Sequence, residues 1–337
     1  MHATRDDVAR IAQVSGPTVS YVFNGTRKVS EETRQRVLKA AEQLKYQPDM
    51  VARAMITGRT NTIGILTDDI SNPLIVDMTK GIQEAAFDNG YFVHLCGGVN
   101  DYQKYIDNFI SRRVDGVFVS VNKAAMCETY ILKLLDHNIS VITTATRNDE
   151  DPRICRIESD FQSGMLQILH HLHGLGHYRI AYLSAFDDTY AYDCRLSAFK
   201  EQFGRLFPKQ SPIIVQGKPP YASTMQTGYE MAQEILGIEP KVTAIVCTND
   251  LMAMGAIKRL AEAGMRVPQD VSVVGIDNIF LSAYSVPALT TLDTCPRQYG
   301  RRIFHILYNN ILRNEIVNEV YETKLLVRES TALPKSF

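Results

Sequence analysis

Two hydrophobic rhythms run along this chain, and they change over near residue 61. Before that point apolar residues recur three and four apart. Val8, Ile11 and Ala12 form one such set; Val19, Val22 and Phe23 form a second, which begins at Gly16. Ser15 stands where a cap would accept from a free first-turn N–H. Pro17 falls in that first turn, where its missing N–H and fixed φ do little harm. Two short helices joined by a tight turn make a helix-turn-helix pattern. Asn24-Gly25 signals a turn. Ser30-Glu31-Glu32 then starts a third helix, Val37, Ala41 and Leu44 form its inward stripe, and Pro48 stops it. Residues 49–55 carry the pattern of a further short helix, one that needs a partner to hold it.

From residue 62 the pattern is apolar strand, amphipathic helix, apolar strand. Strands are predicted over 62–66, 91–96, 117–121 and 141–144. Between them a helix carries Met78, Ile82, Ala85 and Ala86 on one face, and others cover 102–112 and 128–137. The pattern repeats with strands over 180–183, 213–215, 244–248 and 271–276 and helices over 162–175, 196–203, 225–236 and 251–263. The tail adds a strand over 290–292, a helix over 297–312 and a strand over 321–327. Such alternation means βαβ units and parallel sheets covered on both faces. Two α/β halves meet near residues 157–160, and a ligand cleft is expected between them, beyond the carboxyl ends of the strands.

Composition narrows the class. With 45% hydrophobic and 22% charged residues in 337, the chain is neither disordered, nor collagen, nor a simple coiled coil. The net charge of −1 hides an asymmetry: residues 1–60 hold ten Lys/Arg against six Asp/Glu, a net of +4, and the remainder a net of −5. A basic head on an acidic body points to an anionic partner for the head, such as nucleic acid. Cys96, Cys127, Cys155, Cys194, Cys247 and Cys295 include no C-x-x-C pair and read as core residues in a reducing compartment. Met1-His2-Ala3-Thr4-Arg5-Asp6-Asp7 has no apolar signal core, and no apolar run approaches a membrane span, so the expected location is cytoplasmic, with no membrane partner.

Other chemistry is thin. His170, His171, His173 and His177 crowd one helix end, but Gly174 and Gly176 interrupt the His173/His177 spacing a metal would use. Ser197-Ala198-Phe199-Lys200 matches S-x-x-K inside a helix pattern, without the companion motifs of that hydrolase class. Gly174-Leu175-Gly176 lacks the third glycine of a dinucleotide loop. No metal, no cofactor and no catalytic set is expected. A sugar-metabolising enzyme would need a convergent nucleophile or base, and a secreted solute-binding protein would lack the head.

The motifs in sequence are specific. Asp7-Val8-Ala9-Arg10 leads to Val14-Ser15, Thr18-Val19-Ser20, Asn24-Gly25 and Val29-Ser30-Glu31-Glu32-Thr33-Arg34. Tyr46, Pro48, Val51-Ala52-Arg53-Ala54-Met55 and Thr57-Gly58-Arg59-Thr60 follow. Ile63-Gly64-Ile65, Ile70-Ser71-Asn72-Pro73, Arg113-Val114-Asp115-Gly116, Gly176-His177, Arg195-Leu196, Asn249-Asp250, Met252-Ala253, Gly275, Asp277-Asn278 and Pro287-Ala288-Leu289-Thr290-Thr291 complete the series. In this order, over essentially the whole chain, they resemble the LacI/GalR family of bacterial transcription regulators. The resemblance implies a small all-α, lambda-repressor-like helix-turn-helix head over 1–47 and a hinge helix and linker over 48–60. It also implies an α/β periplasmic-binding-protein-like core over 61–337, made of two doubly wound parallel-sheet subdomains: 61–158 with 291–319, and 159–290 with 320–337.

That resemblance further implies a homodimer on a near-palindromic double-stranded DNA operator, with the second helix of each head in the major groove. Its leading positions are Gly16, Pro17 and Tyr21. Gly16 has no side chain and Pro17 no donor, so direct readout leans on the Tyr21 hydroxyl and on apolar contact with thymine methyls. Thr4, Ser15, Thr18, Ser20 and Asn24 are the expected phosphate and backbone anchors. In the hinge helix, Met55 takes the place of the usual minor-groove wedge leucine, and Arg53 reaches the minor groove or a phosphate.

For the cleft, the carried-over residues are Leu74, Ile75, Arg195, Asn249, Asp250 and Asp277. Leu74 and Ile75 stand where many sugar-binding members have aromatics, and Ala145-Thr146 where many have Asp-Arg, with Arg147 one residue on. Tyr221, after Pro219-Pro220, is a candidate aromatic wall. The expected effector is a sugar or sugar derivative, by family frequency, with a purine or nucleoside as the alternative. Ligand would close or twist the halves and decide whether the hinge helices pair; induction and corepression both stay open. No leucine heptad tail follows Val327, which disfavours a tail-built tetramer.

Overall fold

The computed structural model describes residues 3–24, 27–47, 54–55, 57–97, 101–121, 124–144, 151–186, 193–218 and 221–335. Two compact units emerge, Met1–Asn61 and Thr62–Phe337.

The head is three helices, α1 (Arg5–Ala12), α2 (Gly16–Asn24) and α3 (Glu31–Gln43). Thr4 and Asp7 form a reciprocal capping box at the start of α1, and Ser30 Oγ accepts from Thr33 N–H at the start of α3. Val8, Ala12, Val19, Val37 and Ala41 meet in a small core, one inward stripe from each helix. Of the expected fourth helix, Ala54, Met55 and Thr57 are helical, and residues 48–53 lie outside the described set.

The second unit holds two six-stranded sheets. The first contains β1 (Thr62–Thr67), β2 (Phe92–Gly97), β3 (Gly116–Ser120), β4 (Ser140–Thr144), β5 (Cys155–Ser159) and β11 (Asn318–Tyr321), in the order β11-β5-β4-β3-β1-β2, all parallel. The other contains β6 (Ile180–Ser184), β7 (Ile213–Gln216), β8 (Ala244–Cys247), β9 (Ser272–Asp277), β10 (Thr290–Asp293) and β12 (Lys324–Leu326), in the order β12-β10-β9-β8-β6-β7. Only the β10–β12 pair is antiparallel among these described strands.

Each sheet is covered on both faces, as doubly wound sheets must be. In the first lobe the crossover helices are α4 (Pro73–Asp88), α5 (Tyr102–Ser111) and α6 (Ala124–Asp136). The second lobe uses α7 (Phe161–Gly174), α8 (Cys194–Leu206), α9 (Met225–Leu236) and α10 (Asp250–Glu262). The returning helix α11 (Pro296–Arg313) packs beside α4 on the first sheet. Glycines set the closest helix approaches, and both lobes use the same device. A Cβ on Gly81 would sit 2.0 Å from Arg297 O, and one on Gly300 would sit 2.1 Å from Met78 O. In the second lobe Gly228 and Gly255 meet Met252 O and Met225 O at 2.0 and 1.9 Å by the same measure.

The two-subdomain α/β architecture agrees with the reading from periodicity, and the differences are instructive. Cys155–Ser159 is a strand of its own where only a boundary was expected. The single tail strand over 321–327 is instead two short strands in different sheets, because Glu322-Thr323 carries the chain from one lobe to the other. Thr290–Asp293 lies wholly in the second sheet and Asn318–Tyr321 wholly in the first. The crossings therefore fall after Asp293 and after Tyr321, not at 291 and 320.

Candidate functional site

In the head, α2 presents its polar edge outward while Val19 is buried. Ser15 Oγ accepts from Thr18 N–H at 3.3 Å and lies 2.8 Å from Thr18 Oγ1, so these two expected anchors also build the cap of α2. Thr4 Oγ1 donates to Asp7 Oδ2 at 2.7 Å, and that bond lowers the Asp7 pKa from the ordinary carboxyl value. Gly16, Thr18, Ser20 and Tyr21 are half-buried, and Pro17 is exposed. The Arg27 guanidinium lies 5.1 Å from the Tyr21 ring centroid, so the tyrosine carries a cation on its face. Met55 is 81% exposed, a large apolar side chain without a core to fill. Arg53 and the Asn24 side chain lie outside the described residues.

The second lobe carries a buried polar site at its strand ends. Asp193 caps α8, accepting from Arg195 N–H at 3.0 Å, and so sets Arg195 in the first turn. Arg195 Nη2 donates to Asp277 Oδ1 at 2.8 Å, and the guanidinium rests 4.9 Å from the Phe161 ring centroid. Asp277 ends β9 with φ +113° and Asn278 follows at +55°. Both are rare for non-glycine residues, and such strain persists only where the surroundings hold it. Here Arg328 donates to Asn278 Oδ1 and Leu289 O, both at 2.7 Å, and Asn278 N–H donates to Thr291 Oγ1 at 3.3 Å.

Burial pushes the Asp277 carboxyl up to about 6, against the pull of Arg195. Burial likewise raises Asp193. Asp193 Oδ2 and Arg195 Nε are buried with no hydrogen-bond partner among the described residues. One orphaned acceptor and one orphaned donor beside a buried ion pair are what a polar ligand would satisfy. The Tyr221 ring, expected as an aromatic wall, lies 6.3 Å centroid to centroid from that of Phe186.

Three expected cleft residues are spent elsewhere. Asp250 Oδ1 accepts from Thr291 Oγ1, and its Oδ2 from Ser282 Oγ and Ile279 N–H, at 2.5, 2.5 and 2.9 Å. It is a buried tie for the 279–291 segment, with its carboxyl raised to about 7 by burial and by the charge of Asp277. Asn249 caps α10 through Oδ1 and donates from Nδ2 to Ser223 O at 2.9 Å. Ile75 packs into the first lobe's core with Ile65, Met78 and Phe118. Leu74 stays half-buried at the start of α4. Residues 145–147 and Pro219-Pro220 lie outside the described set. Phe161, Asp193 and Arg328 were missed. Asp193 was within reach as a cap residue ahead of an amphipathic helix; Phe161 and Arg328 carry no local signal.

His171 and His177 serve the fold. His177 Nε2 donates to Ala332 O at 2.8 Å and His171 Nε2 lies 2.9 Å from Thr331 Oγ1, pinning the C-terminal tail to the second sheet. Among the described residues no helix is long and apolar enough to cross a membrane.

Comparison with known proteins places these features. Residues 4–49 match the bacterial regulatory proteins of the lacI family, and residues 169–331 match the periplasmic binding protein-like domain. The chain is 32% identical over 337 residues to the HTH-type transcriptional repressor PurR of Mannheimia succiniciproducens, covering 97% of this chain and 98% of that one. It is 34% identical over 328 residues to PurR of Vibrio parahaemolyticus, covering 95% of each. Among solved structures it is similar to the lac repressor dimer bound to operator and the anti-inducer ONPF, with TM-score 0.82, 26% identity and coverage of 98% and 100%. It is also similar to the transcriptional regulator CelR–cellobiose complex, with TM-score 0.72, 25% identity and coverage of 98% and 100%. The helix-turn-helix head, the two-sheet core and this full-length kinship together show that the chain belongs to the lacI family of bacterial regulatory proteins.

Proposed function

We propose that this DNA-binding repressor takes a purine base or nucleoside at the Arg195–Asp277 site, and that the purine sets its affinity for a near-palindromic operator bound by a homodimer. The observation that carries the effector class is the kinship, over 95–97% of the chain, with repressors named PurR. The chemistry of the site agrees. A heterocycle edge offers N–H donors and ring or carbonyl acceptors, matching the orphaned Asp193 Oδ2 and Arg195 Nε. This reverses the order expected from family frequency, in which a sugar stood first. A carbohydrate is the second reading, favoured by solved relatives described with cellobiose and with bound ribose.

The test begins with a random-library selection that yields the duplex preferred by the purified protein. Fluorescence anisotropy on that duplex is then measured with adenine, guanine, hypoxanthine, adenosine, ribose and cellobiose. A shift of about 5- to 150-fold with a purine, in either direction, is expected. A shift with a sugar alone would replace the purine reading by the carbohydrate one, and selection of no sequence would overturn the repressor.

A further inference from the structure

The first two residues of α2 offer no side-chain hydrogen bond to a base edge, because Gly16 has no side chain and Pro17 no donor. Yet the space in front of Gly16 is occupied. A Cβ built there would lie 3.1 Å from Arg5 Nε, 3.4 Å from Arg5 Cζ and 3.1 Å from Asp6 Oδ1. The guanidinium of the first residue of α1 therefore lies across the start of α2, where a larger residue 16 would begin its own side chain. A side chain at residue 16 would crowd it by a few tenths of an ångström, so the glycine leaves the arginine room there.

Asp6 holds this arginine by one edge. Its Oδ1 accepts from Arg5 Nε and from Nη2, both at 3.3 Å. Nη1 and the outer hydrogen of Nη2 are left pointing away from that carboxylate, and the Arg5 side chain is 47% exposed. Two parallel donors on a planar fork match the two acceptors, O6 and N7, that guanine alone presents in the major groove.

We propose that Arg5 is a base-reading residue of this head and that its target is a guanine in each half-site. Readout missing from the second helix is thereby supplied by the first. The inference rests on the repressor reading above.

The same library selection is run with the wild type, Arg5→Lys and Arg5→Ala, and binding to the selected duplex and its single-base variants is followed at two salt concentrations. The wild type should demand guanine at one position per half-site. Arg5→Lys keeps the charge and replaces the fork by one ammonium that still reaches O6 or N7, so guanine should stay preferred at that position, less sharply, while the salt slope is unchanged. Arg5→Ala should relax the same position and also reduce the salt slope by about one. An Arg5→Ala variant with the wild-type preference at every position overturns the inference. So does an Arg5→Ala variant that binds all sequences uniformly more weakly, which is the signature of a phosphate contact. A wild type that selects nothing removes the repressor reading itself, a result separable from either.

Discussion

Arg195 Nη2 donates to Asp277 Oδ1 at 2.8 Å across 82 residues of chain, and the aspartate that receives it stands at φ +113°. Asp277→Ala should leave a mostly buried guanidinium unpaired and cost about 3 kcal/mol of stability, read by urea unfolding. Asp277→Asn keeps an acceptor and should cost about 1 kcal/mol, yet weaken purine binding at least tenfold. Because burial pushes the folded carboxyl up to about 6, wild-type purine affinity should fall as pH drops through that value, and the asparagine variant should show a smaller fall, the part that Asp193 contributes. Equal pH profiles for the two would remove Asp277 from the effector contact.

Asp250 tests a different role. Its two oxygens accept from three donors; in Asp250→Asn the amide oxygen can keep Ser282 and Ile279, and the amide nitrogen then forces the Thr291 hydroxyl to turn from donor to acceptor. A loss of about 1–3 kcal/mol is expected, with purine affinity within severalfold of wild type once the variant is folded. Burial raises the folded carboxyl from 3.8 to about 7, so the folded state holds a proton that the unfolded chain has released. Its contribution is full below pH 4 and lost as pH rises to about 7, and this slope should vanish in the variant.

His177 has the opposite sign. Burial lowers its pKa below 6.5, so the unfolded chain takes up a proton that the folded state refuses. Stability should fall as pH drops below 6.5. His177→Ala should cost about 2 kcal/mol at pH 7, and the gap to wild type should narrow toward pH 5. Urea unfolding of the pair at each pH isolates this contribution from the carboxyls; a constant gap would show that the imidazole does not titrate on unfolding.

Arg328 touches Asn278 and Leu289 rather than any orphaned atom of the site. Arg328→Ala should release the strained turn and weaken purine binding by several-fold. Lysine should not rescue it, because one ammonium on a flexible stem does not bridge two acceptors as the planar fork does. Calorimetry with adenine or hypoxanthine checks this, and full rescue by lysine would mean that charge alone suffices.

Met55 is exposed, so Met55→Asp should leave the stability of the free protein, read by urea unfolding, unchanged within about 0.5 kcal/mol. Operator affinity should drop at least a hundredfold while weak non-specific binding survives, as expected for loss of an apolar minor-groove wedge. Retained tight binding would assign the wedge elsewhere.

Much of this molecule is decided within a few residues. Thr4 and Ser30 cap helices whose stripes face one core, and the Val- and Ile-rich runs around Ile63, Val117, Ile245 and Val273 declare buried parallel strands wherever they occur. The motifs that mark Arg195 and Asp277 are likewise local. Only tertiary structure decides which polar groups remain available. Asp250 opens α10 beyond β8 and Asp277 ends β9, but Ser282 and Thr291 come from 32 and 41 residues away to satisfy Asp250. Asp277 meets Arg195 beside Asp193 Oδ2 and Arg195 Nε, which nothing described satisfies. Likewise Ile75 is drawn into a core, and the tail strand is divided between two sheets at Thr323. Periodicity and capping are short-range properties of the backbone, whereas satisfaction of a buried donor or acceptor is a property of whatever the fold brings beside it.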